Sequence, residues 1–426
     1  MNRIQAPAVR PFGHLDVPAE HIEILSNGLT LHVIEGGDQP VSRLTVVFEG
    51  GAAELGHEIV SSLLVSQMIE GTSSLTGDEI ADILDYNGAR TGVRPQSHHS
   101  VADLWFLNTR AAELMPLWGD CLVNPAYPDQ ALKTARRRLL SAYMASREEV
   151  SALADEAFTE LMYGPGHPLG CPQTVELIQG ISTAQLRELH RQILCPERMH
   201  AFLSGKYDEN VIDSVRAMLE SIPATGRGFS IDILPMCPPA EATRVSVHKE
   251  NAFQDAVMAG LATPGREHPD YVPLRLTIMA LGGYFGSRLM ANIREEKGLT
   301  YGISASLLGC REGAYMAIAA QCDGRYTDMV LAETAAEMRR MVSEPPVGEE
   351  LMRLKLHAAT SLAEILDTPA AIAGYYANRI FVGTPADYFE QQQQAIDALT
   401  SDKIAEMAAK YLIPENLSVV IAGQNH

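Results

Sequence analysis

At 426 residues the chain is longer than a single hydrophobic core usually grows, so two domains of roughly 200 residues each are expected. Apolar residues make up 46 % of it and charged residues 20 %, which excludes a disordered chain. With 33 Lys and Arg against 53 Asp and Glu the net charge is −20, so nucleic acid is excluded as an expected partner because a phosphate backbone would be repelled.

The amino-terminal stretch MNRIQAPAVRPFGHLDVPAEHIEIL holds no apolar run suited to a signal peptide, and no later run approaches the length of a membrane span. A soluble cytoplasmic protein, without a membrane partner, is the expectation. Next come strand patterns at 29–35 and 42–51 and a helix through 57–70. The run SLTGDEIADILDYNG offers Thr76 and Glu79 as a capping box, Leu75 and Ile80 as a hydrophobic staple, and Gly88 as a stop. Strands resume at 89–95 and 100–107, and long helical patterns fill 127–162. Within them Arg136-Arg137-Arg138 points in three directions and reads as a solvated face.

Residues 182–205 and 400–423 superimpose without a gap. Ser182 falls on Thr400, Leu186 on Ile404, Pro196 on Pro414 and Gly205 on Gly423. Each copy reads as a capped amphipathic helix, a Pro that forbids its continuation, and an apolar strand ending in Gly. The chain is therefore two copies of one domain, at 1–220 and 244–426, joined through a Pro- and Gly-rich linker at 221–243. The second copy carries strand patterns at 243–250, 256–262, 301–308 and 313–321. Helices are expected at about 269–281 and 286–297, and again from 326 to 412. Paired strands among long helices favour an α+β fold: two homologous domains, each a mostly antiparallel sheet with helices packed on one face. The six cysteines form no CxxC pair and read as free, mostly buried thiols. LGGYFG at 281–286 lacks the Lys-Ser/Thr of a phosphate-binding loop.

The stretch GGYFGSRLMANIREEKGLTYGISA (282–305) resembles the second-domain motif of the pitrilysin and mitochondrial processing peptidase family of zinc peptidases. GHPLG at 166–170, the Gly71-Thr72 pair and the duplicated layout agree with it. The resemblance implies a first-domain helix with His-x-x-Glu-His ahead of Gly-Thr, and a later glutamate as third zinc ligand. Counting back from Gly71-Thr72 places that motif on Ser62-Leu63-Leu64-Val65-Ser66, and the third ligand falls near Ala142. Serine hydroxyls are poor zinc ligands, and Val65 can neither take nor give a proton. No metal is expected in this chain.

The second-domain motif is intact. Arg294 stands near a helix end, Gly298 suits the left-handed stop, and Tyr301 opens the next strand. The resemblance implies that such a pair hydrogen-bonds the substrate backbone and the oxyanion on a facing half. The implied protein is a non-catalytic, substrate-binding subunit of a heterodimeric metallopeptidase with an enclosed chamber. Its homologous His-x-x-Glu-His partner would supply zinc, and Arg294 and Tyr301 would act in trans. Two alternatives stay open: a silent homodimeric peptide-binding or structural protein, and an active peptidase with a metal relocated to His57, His98 and His99 or with another nucleophile. In the bland reading Arg294 is a solvated helix end and Tyr301 a half-buried strand residue.

Overall fold

A computed structural model describes residues 13–424; residues 1–12, part of the stretch read above as lacking a signal peptide, lie outside the described residues. The first sheet contains β1 (His21–Ile24), β2 (Thr30–Glu35), β3 (Val41–Glu49), β4 (Arg90–Pro95), β5 (His99–Leu107) and β6 (His200–Gly205), in the order β1-β2-β6-β3-β5-β4. The second contains β7 (Arg244–His248), β8 (Asp255–Thr263), β9 (Thr300–Gly309), β10 (Ala314–Cys322) and β11 (Ser418–Gly423), in the order β7-β11-β8-β10-β9. Without β1 the two orders are the same. In each, the last strand enters between a parallel neighbour and an antiparallel one: β6 between β2 and β3, β11 between β7 and β8. The duplication is thus a duplication of topology, and each sheet is antiparallel except for one pair.

Local chemistry explains why the two copies end alike. Ser182 and Thr400 each accept a hydrogen bond at 3.2 Å from the backbone N–H three residues on, at Gln185 and Lys403. Helices follow at Thr183–Ile193 and Ser401–Tyr411, Pro196 and Pro414 each open a single tight turn, and β6 and β11 each begin two residues after that turn ends. The Thr76–Glu79 capping box forms as expected, with Gly88 at φ 62 past its helix Gly77–Tyr86.

The chain divides into two compact units. One comprises Pro18–Pro239 with Thr368–Gly383; the other comprises 240–367, the residues from 384 onward and 13–17. In the first unit, alternate residues of the sheet, among them Leu31, Val33, Leu44, Val46, Leu104 and Leu203, are buried with Ile59, Leu63 and Leu64 of the helix Glu58–Ser66 in one core. Helices do not keep to that face. The helix Pro369–Val382, from the second half of the sequence, lies against β2 and β6, and Phe381 sits 5.0 Å from the ring of His99 on β5. His99 has the opposite parity to the core-facing Ala102 and Leu104, so this helix covers the other side of the sheet.

All six cysteines are free, but only Cys121, Cys195 and Cys322 are buried; Cys171 and Cys237 are exposed, which corrects the expectation of mostly buried thiols. Among the described residues, no helix is long and apolar enough to cross a membrane.

Candidate functional site

Arg294 and Tyr301 come together in the second unit. The helical segment Met290–Glu296 ends with the Lys297 N–H bonded to the carbonyl of Asn292, five residues back, a widened π-type turn. Gly298 then takes φ 63, which reverses the chain into β9. Thr300 is pinned at the strand entrance, its hydroxyl donating to the Gln321 carbonyl at 2.5 Å. Between Ala320 and Cys322 the β9–β10 register slips. Simple alternation would turn Tyr301 to the same side as the buried Ile303; the bulge re-aims it outward. The bland reading of a half-buried Tyr301 is therefore incorrect, since Tyr301 is 90 % exposed.

The Arg294 guanidinium carbon lies 5.7 Å from the Tyr301 ring centroid and 5.0 Å from that of Phe285. Its one ion pair among the described residues is a loose 3.8 Å approach to the neighbouring Glu295. Neither the guanidinium nor the Tyr301 hydroxyl makes a hydrogen bond among the described residues. The backbone beneath is anchored: Asn292 donates to Glu337 at 2.6 Å and Glu333 at 3.1 Å, and Lys297 donates to Asn292 at 2.7 Å. Arg294 is not part of that network: its half-buried side chain stands on a fixed base with its donors uncommitted among the described residues.

In the first unit, Ser62 and Ser66 sit one turn apart on Glu58–Ser66 and line a groove of about 770 Å³. The groove's other wall is the helix Asp129–Ser146, at Thr134, Ala135, Arg138 and Leu139. Val65 is buried in the core at 3 % exposure and does not reach the groove. Ala142 lies one turn beyond Arg138, exposed and outside the groove lining. Hydroxyls and hydrocarbon thus occupy all four positions that the resemblance assigns to metal and base.

Comparison with known proteins follows the same division. The family model described as the Peptidase M16 inactive domain matches residues 180–356. Over that segment the chain is similar to the M16 peptidase family. The matched segment contains Arg294 and Tyr301 and begins after Ala142. An uncharacterized zinc protease of Mycobacterium leprae is 26% identical over 284 residues, 64% of this chain and 62% of that protein. A non-peptidase homolog of Helicobacter pylori is 21% identical over 272 residues, 62% of this chain and 61% of that protein. The chain thus matches about three fifths of the length of these curated relatives. A solved M16 inactive domain from Pseudomonas fluorescens superimposes with a TM-score of 0.85 at 22% identity, over 95% of this chain and 98% of that one, and so shares its fold.

The histidines of the chain do other work. His57 caps Glu58–Ser66, its Nδ1 accepting the Ile59 N–H at 3.1 Å, and burial holds its pKa below the usual range. With Nδ1 accepting, the proton sits on Nε2, so His57 presents a donor to the cleft it shares with Cys171, Asp155 and Glu156. That is the wrong polarity for activating a thiol. His98 is buried, with its Nδ1 2.6 Å from Glu54 Oε1. Among the described residues no three His, Cys, Asp or Glu side chains converge in a way that could hold a metal ion, so His57, His98 and His99 do not assemble the relocated site.

Sequence reasoning missed two groups. One is Phe285 in GGYFG: the sequence shows two adjacent aromatics ahead of an Arg-bearing helix but not that Tyr284 packs on His357 while Phe285 stays exposed. The other is a half-buried chain in which Glu20 Oε2 lies 2.7 Å from His32 Nδ1 and His32 Nε2 lies 3.1 Å from His200 Nδ1. Burial and the adjacent His32 pull the His200 pKa down to about 4. Nothing in the spacing of residues 20, 32 and 200 signals this contact, which parallel pairing of β2 and β6 creates.

Proposed function

We propose that this chain is the non-catalytic, substrate-binding subunit of a two-chain zinc peptidase. A homologous partner carrying His-x-x-Glu-His would supply the metal and the general base. Arg294 and Tyr301 would reach the partner's site in trans, in a chamber enclosed by the two chains, donating to the peptide backbone and to the oxyanion of the tetrahedral intermediate. The observation that carries this reading is the state of the Arg294–Tyr301 pair: adjacent, Tyr301 exposed and Arg294 half-buried, anchored through Asn292 and without hydrogen-bond partners among the described residues. A guanidinium and a phenol kept only for stability would be expected to bond within their own fold. The complementary observation is the groove at Ser62 and Ser66, whose lining offers no imidazole.

The test is reconstitution. The chain and a candidate His-x-x-Glu-His homologue from the same genome are purified separately and assayed singly and mixed on an unstructured peptide. Hydrolysis that requires both chains, and that falls on Arg294→Ala, supports the proposal. Failure of the two to associate, with this chain sedimenting as a stable homodimer, supports the silent homodimer instead.

A further inference from the structure

The helix Tyr271–Gly282 packs so closely on β9 that a methyl group at Gly282 would fall 2.6 Å from both Cβ and N of Ala305. That contact fixes where the following loop leaves the helix, and the loop carries Phe285. The ring is 65 % exposed and contributes little to any core. What it does touch is Arg294, whose guanidinium carbon lies nearer to it than to Tyr301. A guanidinium can be held in place by carboxylates or carbonyls, and each such bond occupies one or more of its five N–H donors. An aromatic ring holds it through the π face and occupies none. The other arginine of this motif shows the contrast. Arg288 donates to both oxygens of Glu350, at 2.8 and 3.1 Å, and is committed to the fold. Arg294 makes no such bond among the described residues.

We propose that Phe285 is a positioning residue for Arg294: its ring restricts the guanidinium to one orientation while leaving every N–H donor available to a carbonyl or carboxylate oxygen of a bound peptide. This rests on the reading of Arg294 as a substrate-binding residue. Three constraints then act in series. Gly282 on Ala305 places the loop, Asn292 on Glu337 places the backbone under Arg294, and Phe285 orients the side chain. Tyr301 contributes a second ring and, unlike Phe285, a hydroxyl of its own.

The experiment uses the full chain with ¹⁵N-labelled arginine, the Arg294 Nε–Hε resonance being assigned by its loss in Arg294→Lys. In the wild type this signal is expected to show the upfield ring-current shift of a stacked guanidinium. Phe285→Leu, similar in volume without a ring, should move it toward the unstacked position while lowering the melting temperature by no more than about 4 °C, and Phe285→Tyr should restore it. In the reconstituted pair, Phe285→Leu should lower kcat/KM by about threefold to fivefold, the effect of one exposed ring–cation contact, with rescue by Phe285→Tyr. An Arg294 signal indifferent to Phe285→Leu would overturn the proposal. If the signal moves and turnover falls on Arg294→Ala but not on Phe285→Leu, positioning by the ring has no functional weight and the proposal again fails. If the signal moves while Arg294→Ala leaves turnover intact, the role of Arg294 in substrate binding is what fails.

Discussion

Tyr301→Phe removes one oxygen atom and nothing else that the fold uses. The side chain is 90 % exposed, its hydroxyl has no partner among the described residues, and the ring that lies against Arg294 is retained. The stability change should therefore stay within about 0.5 kcal/mol, the range of surface substitutions away from structural features. A melting temperature within about 2 °C of wild type follows for a unit of this size. If the hydroxyl donates to a developing oxyanion in the partner's site, its loss should cost 10²- to 10³-fold in kcat, on the order of 3–4 kcal/mol. The separation between those two magnitudes makes the variant informative. Arg294→Ala is less clean: it gives up two ring contacts, each worth about 0.5–1 kcal/mol when exposed, and so puts at most about 2 kcal/mol of stability at stake. The assay pairs thermal unfolding of the single chain with steady-state peptide turnover of the reconstituted pair. Unchanged turnover together with a drop of several degrees in melting temperature would refute the reasoning, because it would mean that Tyr301 serves the fold.

The purified chain is predicted to hold no stoichiometric zinc by elemental analysis, with no change on replacing His57, His98 or His99. Restoring Ser62→His, Val65→Glu and Ser66→His should give an unstable protein and no peptidase: Val65 is core-facing at 3 % exposure, and a carboxyl there costs on the order of 3 kcal/mol, read by chemical denaturation. His200, with its pKa drawn down to about 4 from an unfolded value near 6.5, binds its proton less readily in the native state than in the unfolded one. Stability should therefore be full above about pH 6.5 and fall by up to about 3 kcal/mol as pH drops toward 4; this slope should flatten in His200→Gln in urea titrations at several pH values. Thr76→Ala opens the capping box at Gly77–Tyr86 and should cost about 1 kcal/mol in the same measurement.

Features set by nearby residues were legible in the sequence. The paired Ser182/Thr400 caps, the Pro196/Pro414 turns and the terminal glycines are local devices, and each forms where its spacing places it. The position of the last strand of each copy inside its sheet was not legible, because pairing partners for β6 and β11 lie far away in the chain and an apolar run is compatible with several neighbours. The helix Pro369–Val382 shows the same limit: its periodicity predicts a helix and says nothing about which sheet it covers. At the candidate site, the motif brought Arg294 and Tyr301 into view, but the exposure of Tyr301 depends on the register slip opposite Ala320–Cys322, and the placement of Arg294 on a widened turn braced by Asn292 and Glu337. Both are tertiary events. Asp103 is wholly buried and bonded by Arg43, Arg94 and Thr45, a polar knot that a strand pattern of alternating residues would have assigned to a solvated face.

The most direct measurement is peptide turnover by the chain mixed with a zinc-containing homologue, each also assayed alone, with zinc quantified in every sample. The prediction is activity only in the mixture, one zinc per pair carried by the homologue, and a loss of about 10²-fold or more when this chain carries Tyr301→Phe. Zinc bound stoichiometrically by this chain alone, with hydrolysis in the absence of any partner, would contradict it.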